Sequence, residues 1–164
     1  QELLGGSCLV KERVKRKTML EFFIGFLASF FLMEPTAWFL HKYVMHGPLW
    51  FVHEDHHKVD PKKKFQLNDA FALVFFAPSF FSILFGRIYE IHILHGVGYG
   101  IMAYGIVYFY VHEVIIHKRY KLFRTPNNKY IHWLVRSHRR HHAKVDKNDS
   151  TDFGMLFCNN FFLD

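Results

Sequence analysis

Residues 22–46 read FFIGFLASFFLMEPTAWFL-HKYVMH, an apolar run that ends in a pair of histidines. Glu34 is the only charged side chain between positions 22 and 40. A helix needs roughly 17–25 apolar residues to cross the hydrocarbon core of a bilayer. This stretch therefore predicts a membrane-spanning helix over residues 20–40, with His41 and His46 at one of its ends.

Two further runs have the same apolar character. Residues 70–86 and 96–111 contain no charged side chain, and the first of them includes Pro78. The chain is 51% hydrophobic and carries a net charge of +7, and these two properties lie in separate segments. Three such runs in 164 residues would leave too little polar chain to cover them in a soluble protein. We therefore predict an all-α integral membrane helical bundle of three to four spans.

The basic residues predict the orientation of this bundle. Fifteen of the twenty-one Lys and Arg residues lie in 42–64 and 118–147, the segments that also contain the histidine clusters. Only Arg87 lies in the connection between the second and third runs. Because cytoplasmic loops carry the excess of basic residues, we expect the histidine-rich segments to form a helical cap on the cytoplasmic side.

The N-terminal segment does not fit a topology of three spans. Its basic residues 11–17 would then lie outside, and the chain begins with Gln1 while Met19 directly precedes the first run. We therefore expect residues 1–18 to be an expression remnant or a non-representative N-terminus. Residues 19–164 are expected to form a single membrane di-metal domain, and a fourth crossing is the alternative topology.

Ten of the thirteen histidines form two matching pairs of clusters, and each pair reads H-x4-H followed by H-x2-H-H. On a helix, positions i, i+3 and i+4 share a face, so each triplet projects three imidazoles together. Positions five apart do not share a face of an α-helix. Each H-x4-H pair therefore supplies one ligand to each of two metals or straddles a helix end. The candidate ligands are His41, His46, His53, His56, His57, His112, His117, His138, His141 and His142.

Imidazole is the commonest protein ligand for transition metals, and ten of them exceed one tetrahedral site. A structural zinc site is closed and usually contains Cys, which this pattern lacks. A metal transporter would place its ligands within the spans, where the sequence offers only Glu34. The pattern thus favours a dinuclear site with open positions, suited to non-haem iron and O2. Three carboxylates are candidates to orient a metal ligand by hydrogen bonding without binding the metal themselves: Glu34, Asp69 and Glu113.

Taken in order, these motifs resemble the fatty acid hydroxylase superfamily of membrane di-iron oxygenases, and within it the bacterial β-carotene 3-hydroxylases. The resemblance covers about residues 19–157 and is carried by Met33-Glu34, 41–47, 53–57, Asn68-Asp69, 102–105, Tyr108-Phe109, 111–117, 137–143 and Phe153-Gly154. Glu113 stands where that family commonly has Asp. His92, His95 and His132 lie outside the pattern and are not expected to be ligands.

The resemblance implies that the ten histidines bind two iron ions, which zinc can replace in purified protein, and that O2 is the co-substrate. It implies hydroxylation at C3 of each β-ionone ring, from β-carotene through β-cryptoxanthin to zeaxanthin, with electrons from a ferredoxin-type donor. It also implies a multi-pass protein of the bacterial inner membrane, surrounded by lipid, with no nucleic-acid partner. The basic loops 62–64 and 118–140 are candidates to dock an acidic donor, and membrane-surface anchoring explains them equally well.

Two alternative functions follow from the same residues. A fatty-acid or sterol hydroxylase of the same superfamily would share the chemistry and differ in substrate. A non-catalytic membrane metal-binding protein or transporter would share only the metal site. Pigment analysis separates all three.

Overall fold

The computed structural model describes residues 2–58, 63, 65–120, 127–144, 146–147 and 150–156, with side chains from residue 11 onward. Within these residues all regular secondary structure is helical, which confirms the predicted all-α class. The elements in chain order are α1 (Glu2–Phe39), a π-helical turn π1 (Leu40–Met45), α2 (Trp50–His57), a 3-10 turn (Leu67–Ala70), α3 (Phe71–Ile88), α4 (His92–Phe109), a second π-helical turn π2 (Tyr110–Ile116) and α5 (Lys129–His142).

Three helical stretches among the described residues are long and apolar enough to cross a membrane. They are Lys11–Met45, Leu67–Ile88 and His92–Ile116, and each contains one of the apolar runs of the sequence. This finding confirms the predicted membrane bundle. Residues 2–18 belong to the same helix as the first span, and the expectation that they are a remnant stays a prediction. Parts of the predicted basic loops, namely 62, 64 and 121–126, lie outside the described residues.

The chain divides into two compact units, of which the first comprises residues 1–31 and 75–103. Its helices approach each other closely at small residues: a Cβ on Gly96 would overlap the carbonyl oxygen of Phe22. Two serine hydroxyls join the helices, Ser29 donating to the Val97 carbonyl (3.0 Å) and Ser79 to the Gly98 carbonyl (2.8 Å). Gly96, Gly98 and Gly100 of α4 therefore serve helix packing, as is common between membrane helices.

The second unit comprises residues 32–74 and 104–164 and contains all ten histidines of the pattern. Its interior is unusually polar, since most of these imidazoles are buried and His53, His56 and His141 are almost completely so. The helix α5 begins at an N-cap, where the Asn128 side chain accepts a hydrogen bond from the Tyr130 N–H (2.8 Å). A polar core of this kind needs a partner for every imidazole nitrogen.

Candidate metal centre

Each H-x4-H pair begins on a π-helical turn and ends at the residue that caps this turn. The His46 N–H donates to the His41 carbonyl (3.0 Å), and the His117 N–H donates to the His112 carbonyl (2.9 Å). These i→i+5 bonds bring the paired side chains together, so that their ring centroids lie 5.1 Å and 4.5 Å apart. The statement that residues five apart do not share a face assumed α-helical geometry and does not apply to these pairs. The alternative expectation, that each pair straddles a helix end, agrees with the structure, because His46 and His117 are the C-cap residues of the two π turns. Single π turns are rare and occur frequently at functional sites.

The imidazoles gather into two groups, and within each group the candidate ligand atoms lie within 4.8 Å of one another. Each H-x4-H pair belongs to one group, whereas each H-x2-H-H triplet is divided between both. The tenth histidine, His142, lies in neither group, although its ring centroid is 4.5 Å from that of His138. Cluster A consists of His41, His46, His53, His57 and His141, and cluster B consists of His56, His112, His117 and His138.

The protonation of cluster A fits a bound cation. The Nδ1–H of His41 donates to the Phe153 carbonyl (2.9 Å), and that of His53 donates to the Asn68 side-chain oxygen (2.6 Å). A neutral imidazole has one N–H, so both Nε2 atoms carry bare lone pairs, yet they lie 3.1 Å apart. Two nitrogens bound to one tetrahedral zinc ion at about 2.0–2.1 Å each would lie about 3.3–3.4 Å apart, close to this separation. The facing lone pairs therefore suit a metal between them.

The same arrangement recurs elsewhere in both clusters. The Nε2 atoms of His46 and His141 lie 3.2 Å apart, and both rings donate their Nδ1–H to backbone carbonyls. In cluster B the Nε2 atoms of His56 and His112 lie 3.1 Å apart, and both Nδ1–H groups donate to side-chain oxygens. Among the described residues, His138 Nδ1 and His142 Nε2 are buried without a hydrogen-bond partner. The donor set thus fits two cations better than it fits a closed hydrogen-bond network.

Burial keeps the imidazoles outside the spans neutral. It lowers the pKa of His53 to about 2 and that of His141 to about 3. For the same reason the pKa of His56 and that of His138 fall well below the usual value, and neighbouring imidazoles lower both further. Neutral imidazole is the form that binds a metal, so these rings are in the ligand state at physiological pH.

The two clusters differ in what holds their outer nitrogens. In cluster A, four of the five Nδ1–H groups donate to backbone carbonyls of residues that follow α5: Lys144, Lys147, Thr151 and Phe153. In cluster B, His56 donates to the Gln66 side chain (3.0 Å) and His112 to the Glu113 carboxylate (2.7 Å). Hydrogen bonds of this kind fix the tautomer and the ring orientation of metal-binding histidines.

The three candidate carboxylates occupy different places. Glu113 accepts from His112 and pairs with Arg119 (2.9 Å), so it contacts a cluster residue directly. Asp69 caps the 3-10 turn by accepting from the Gln66 N–H (3.0 Å) and also pairs with Arg119 (2.7 Å). Glu34 is fully buried and accepts from the Tyr104 hydroxyl (2.7 Å) and from two backbone N–H groups.

Several orienting groups were not among the predicted site residues. Gln66 and Asn68 hold His56 and His53, and Arg119 joins two of the candidate carboxylates. The sequence signals for the two amides were the short stretch 66–69 directly before the second apolar run and, for Asn68, its place in the family motif Asn68-Asp69. The carbonyls after α5 left no signal, because every residue carries one. His132 is exposed on α5 and His95 packs against Phe22 in the first unit, so neither joins a cluster.

Comparison with known proteins supports the interpretation of the motifs. Residues 26–162 match the family described as Fatty acid hydroxylase. A beta-carotene hydroxylase of Pantoea ananas is 39% identical over 127 residues, which cover 77% of this chain and 71% of that protein. A beta-carotene hydroxylase of Pseudescherichia vulneris is 36% identical over 133 residues, covering 80% and 74%.

A plant protein shows the same similarity. The chloroplastic beta-carotene 3-hydroxylase 1 of Arabidopsis thaliana is 32% identical over 146 residues, which cover 85% of this chain and 46% of that protein. No solved structure matches the chain. These matches confirm the resemblance inferred from the motifs.

Proposed function

The chain belongs to the fatty acid hydroxylase family, and from this premise we propose that it is a membrane hydroxylase of carotenoid rings. The reaction is the conversion of β-carotene through β-cryptoxanthin to zeaxanthin by hydroxylation at C3 of each ring. The observation that carries the proposal is a pair of histidine clusters with converging, unprotonated Nε2 atoms. They lie in a chain 31–39% identical to bacterial proteins named beta-carotene hydroxylase.

In this proposal the two clusters hold one iron ion each, and His142 completes cluster B through its unpartnered Nε2. When bound, the iron ions supply the activation of O2 that hydroxylation of an unactivated C–H bond requires. Zinc would occupy the same nitrogens in purified protein, because imidazole suits both metals.

The chain's own residues prepare the site. The outer hydrogen bonds of His41, His46, His53, His57 and His141 fix which nitrogen faces inward. The burial of these rings excludes bulk water, which would otherwise compete for open metal positions. Glu113 strengthens the ligand character of His112 by accepting its Nδ1–H.

An apolar substrate agrees with the rest of the chain. The three candidate spans expose many large apolar side chains, among them Phe23, Leu32, Phe76 and Ile106. Such surfaces are stable in lipid and costly in water. A carotenoid is confined to the bilayer by the same physics, so enzyme and substrate share one solvent.

The exposed face of α5 is proposed to receive the electron donor, a ferredoxin-type protein. Lys129 and Arg136 line an open cavity on this helix together with Trp133, and Arg139 is exposed nearby. The opposite face of the same helix carries His138 and His141. A basic surface one helix away from the clusters favours docking of an acidic electron carrier. The excess of basic residues also favours a cytoplasmic position for this surface by the positive-inside rule.

Pigment analysis tests the proposal. The chain is expressed in bacterial cells that make β-carotene, with His56→Ala as a matched variant, and the carotenoids are separated by chromatography. We expect β-cryptoxanthin and zeaxanthin with the unchanged chain and only β-carotene with His56→Ala.

Two results would contradict the proposal. Hydroxylated fatty acids or sterols with unchanged carotenoids would support the related hydroxylase. Unchanged carotenoids and lipids, with metal bound and electrons supplied, would support a non-catalytic metal-binding protein.

A further inference from the structure

Among the residues that the structure describes, Glu34 has the most deeply buried carboxyl group. Glu34 is 0% exposed, and its Oε1 accepts the backbone N–H groups of Met155 (2.9 Å) and Leu156 (2.8 Å). Its Oε2 accepts from the Tyr104 hydroxyl (2.7 Å). A buried carboxyl group is costly unless it is hydrogen-bonded, and two of the hydrogen bonds that Glu34 accepts come from the backbone after α5.

That backbone is the C-terminal segment, whose described residues are 144, 146–147 and 150–156. It supplies the carbonyls that hold four of the five histidines of cluster A. Of these carbonyls, that of Phe153 is nearest in sequence to Met155 and Leu156, and it accepts from His41 Nδ1 (2.9 Å). The Thr151 carbonyl accepts from His141 Nδ1 (2.7 Å). The Phe153 ring also lies against three rings of the cluster, with centroids 5.1–5.5 Å away.

The hydrogen bonds to Glu34 are a first attachment of this segment, and hydrogen bonds to α5 are a second. The Asp152 carboxylate accepts from the Ser137 hydroxyl (2.8 Å) and from the Arg140 guanidinium (2.9 Å). Phe153 and Gly154, which lie between these two attachments, are buried. The carbonyl that faces His41 is therefore fixed from both sides.

None of the described hydrogen bonds of cluster B is made with the C-terminal segment. Two of its rings, those of His56 and His112, are held by Gln66 and Glu113, which belong to other parts of the chain. Loss of the hydrogen bonds to Glu34 would thus displace the carbonyls that orient the rings of cluster A, and would leave Gln66 and Glu113 beside cluster B in place.

We propose that Glu34 is a positioning residue for cluster A alone: it fixes the C-terminal segment, whose carbonyls orient His41 and His141. This inference rests on the proposed function in taking both clusters to be metal sites. It gives the intramembrane carboxyl group a role that acts through the backbone rather than on a ligand.

Cobalt binding by the full chain in detergent tests the inference without any turnover. The variants are Glu34→Met, which cannot accept the two N–H groups, and Glu34→Gln, whose side-chain carbonyl still accepts them. Glu21→Met is the matched control, since Glu21 lies on the same helix and pairs only at the surface with Lys17 (3.8 Å). We expect two cobalt ions per chain, with the same visible absorption, in the unchanged chain, Glu34→Gln and Glu21→Met.

In Glu34→Met we expect one of the two sites to weaken by roughly 10–100-fold, as loss of an orienting partner does, and the cobalt absorption to fall by about half. Amide exchange at Met155 and Leu156 should rise in the same variant. If Glu34→Met does not accumulate, Arg140→Met is the second variant. It removes the ion pair with Asp152 at a half-exposed side chain and must weaken the same site.

Three results would overturn the inference: two unchanged cobalt sites in Glu34→Met, equal weakening of both sites, or the same loss in Glu34→Gln. The proposed function fails separately. A chain that shows this cobalt pattern yet leaves β-carotene unchanged would contradict carotenoid hydroxylation and not the role of Glu34.

Discussion

At the scale of single residues, the decisive property of the site is which imidazole nitrogen carries the proton. Oxygen acceptors behind the rings take the Nδ1–H of His41, His53, His56 and His112, among others. The inward nitrogens are then left as lone pairs at separations of 3.1 Å. Without a cation these contacts repel, so metal binding and the local fold depend on each other.

Replacing His141 by Ala should remove turnover, because this ring belongs to cluster A and faces His46. We expect activity to fall by more than the roughly 10–100-fold that loss of an orienting partner causes. The bound metal should fall towards one ion per chain in an elemental analysis. His132→Ala is the control on the same helix, since His132 is exposed, and it should keep both properties. Equal behaviour of the two variants would contradict the ligand assignment.

At the scale of elements, the histidine motifs were predictable and their division was not. The spacing of His53, His56 and His57 correctly indicates one helical turn, and α2 contains all three. However, His53 and His57 join cluster A while His56 joins cluster B. Rings on one helical face still differ in direction, and the partner elements that decide between them lie far away in sequence.

The π-helical hydrogen bonding of the two turns also could not be predicted from the sequence. An H-x4-H spacing on an α-helix separates its side chains, and the extra residue that restores their alignment changes only the backbone hydrogen bonds. The bonds from the His46 and His117 N–H groups show how the chain solves this geometry. The same limit applies to the C-terminal segment, whose carbonyls act on the site without any side-chain signature.

The π1 turn predicts an asymmetry between deletion and insertion. Deleting Tyr43, which is half-exposed, should convert π1 into an α-helical turn and leave the two histidines four apart on one face. Inserting Ala after Tyr43 places them six apart and separates them. We expect the deletion to keep clearly more metal in cluster A than the insertion, as measured by cobalt titration. An insertion that binds as well as the deletion would show that π1 does not align the pair.

At the scale of the whole molecule, the segregation of apolar and basic segments correctly predicted an integral membrane bundle of three to four spans, and three helices among the described residues are long and apolar enough to cross a membrane. The apolar runs predict the spans because length and composition alone decide whether a helix is stable in lipid. The N-terminal side and the cytoplasmic position of the clusters stay predictions, since charge distribution is their only support. The ferredoxin-type donor also stays a prediction, which the family resemblance and the basic loops support.

The most direct measurement of the central claim is the iron content of the full chain. The protein would be purified in detergent, stripped with a chelator and reconstituted with ferrous iron without oxygen. Iron per chain would then be determined together with the Mössbauer spectrum. We expect two iron ions per chain in imidazole-rich sites, one for each cluster. Saturation at one iron ion per chain, or no bound iron, would contradict the claim that each cluster is an iron site.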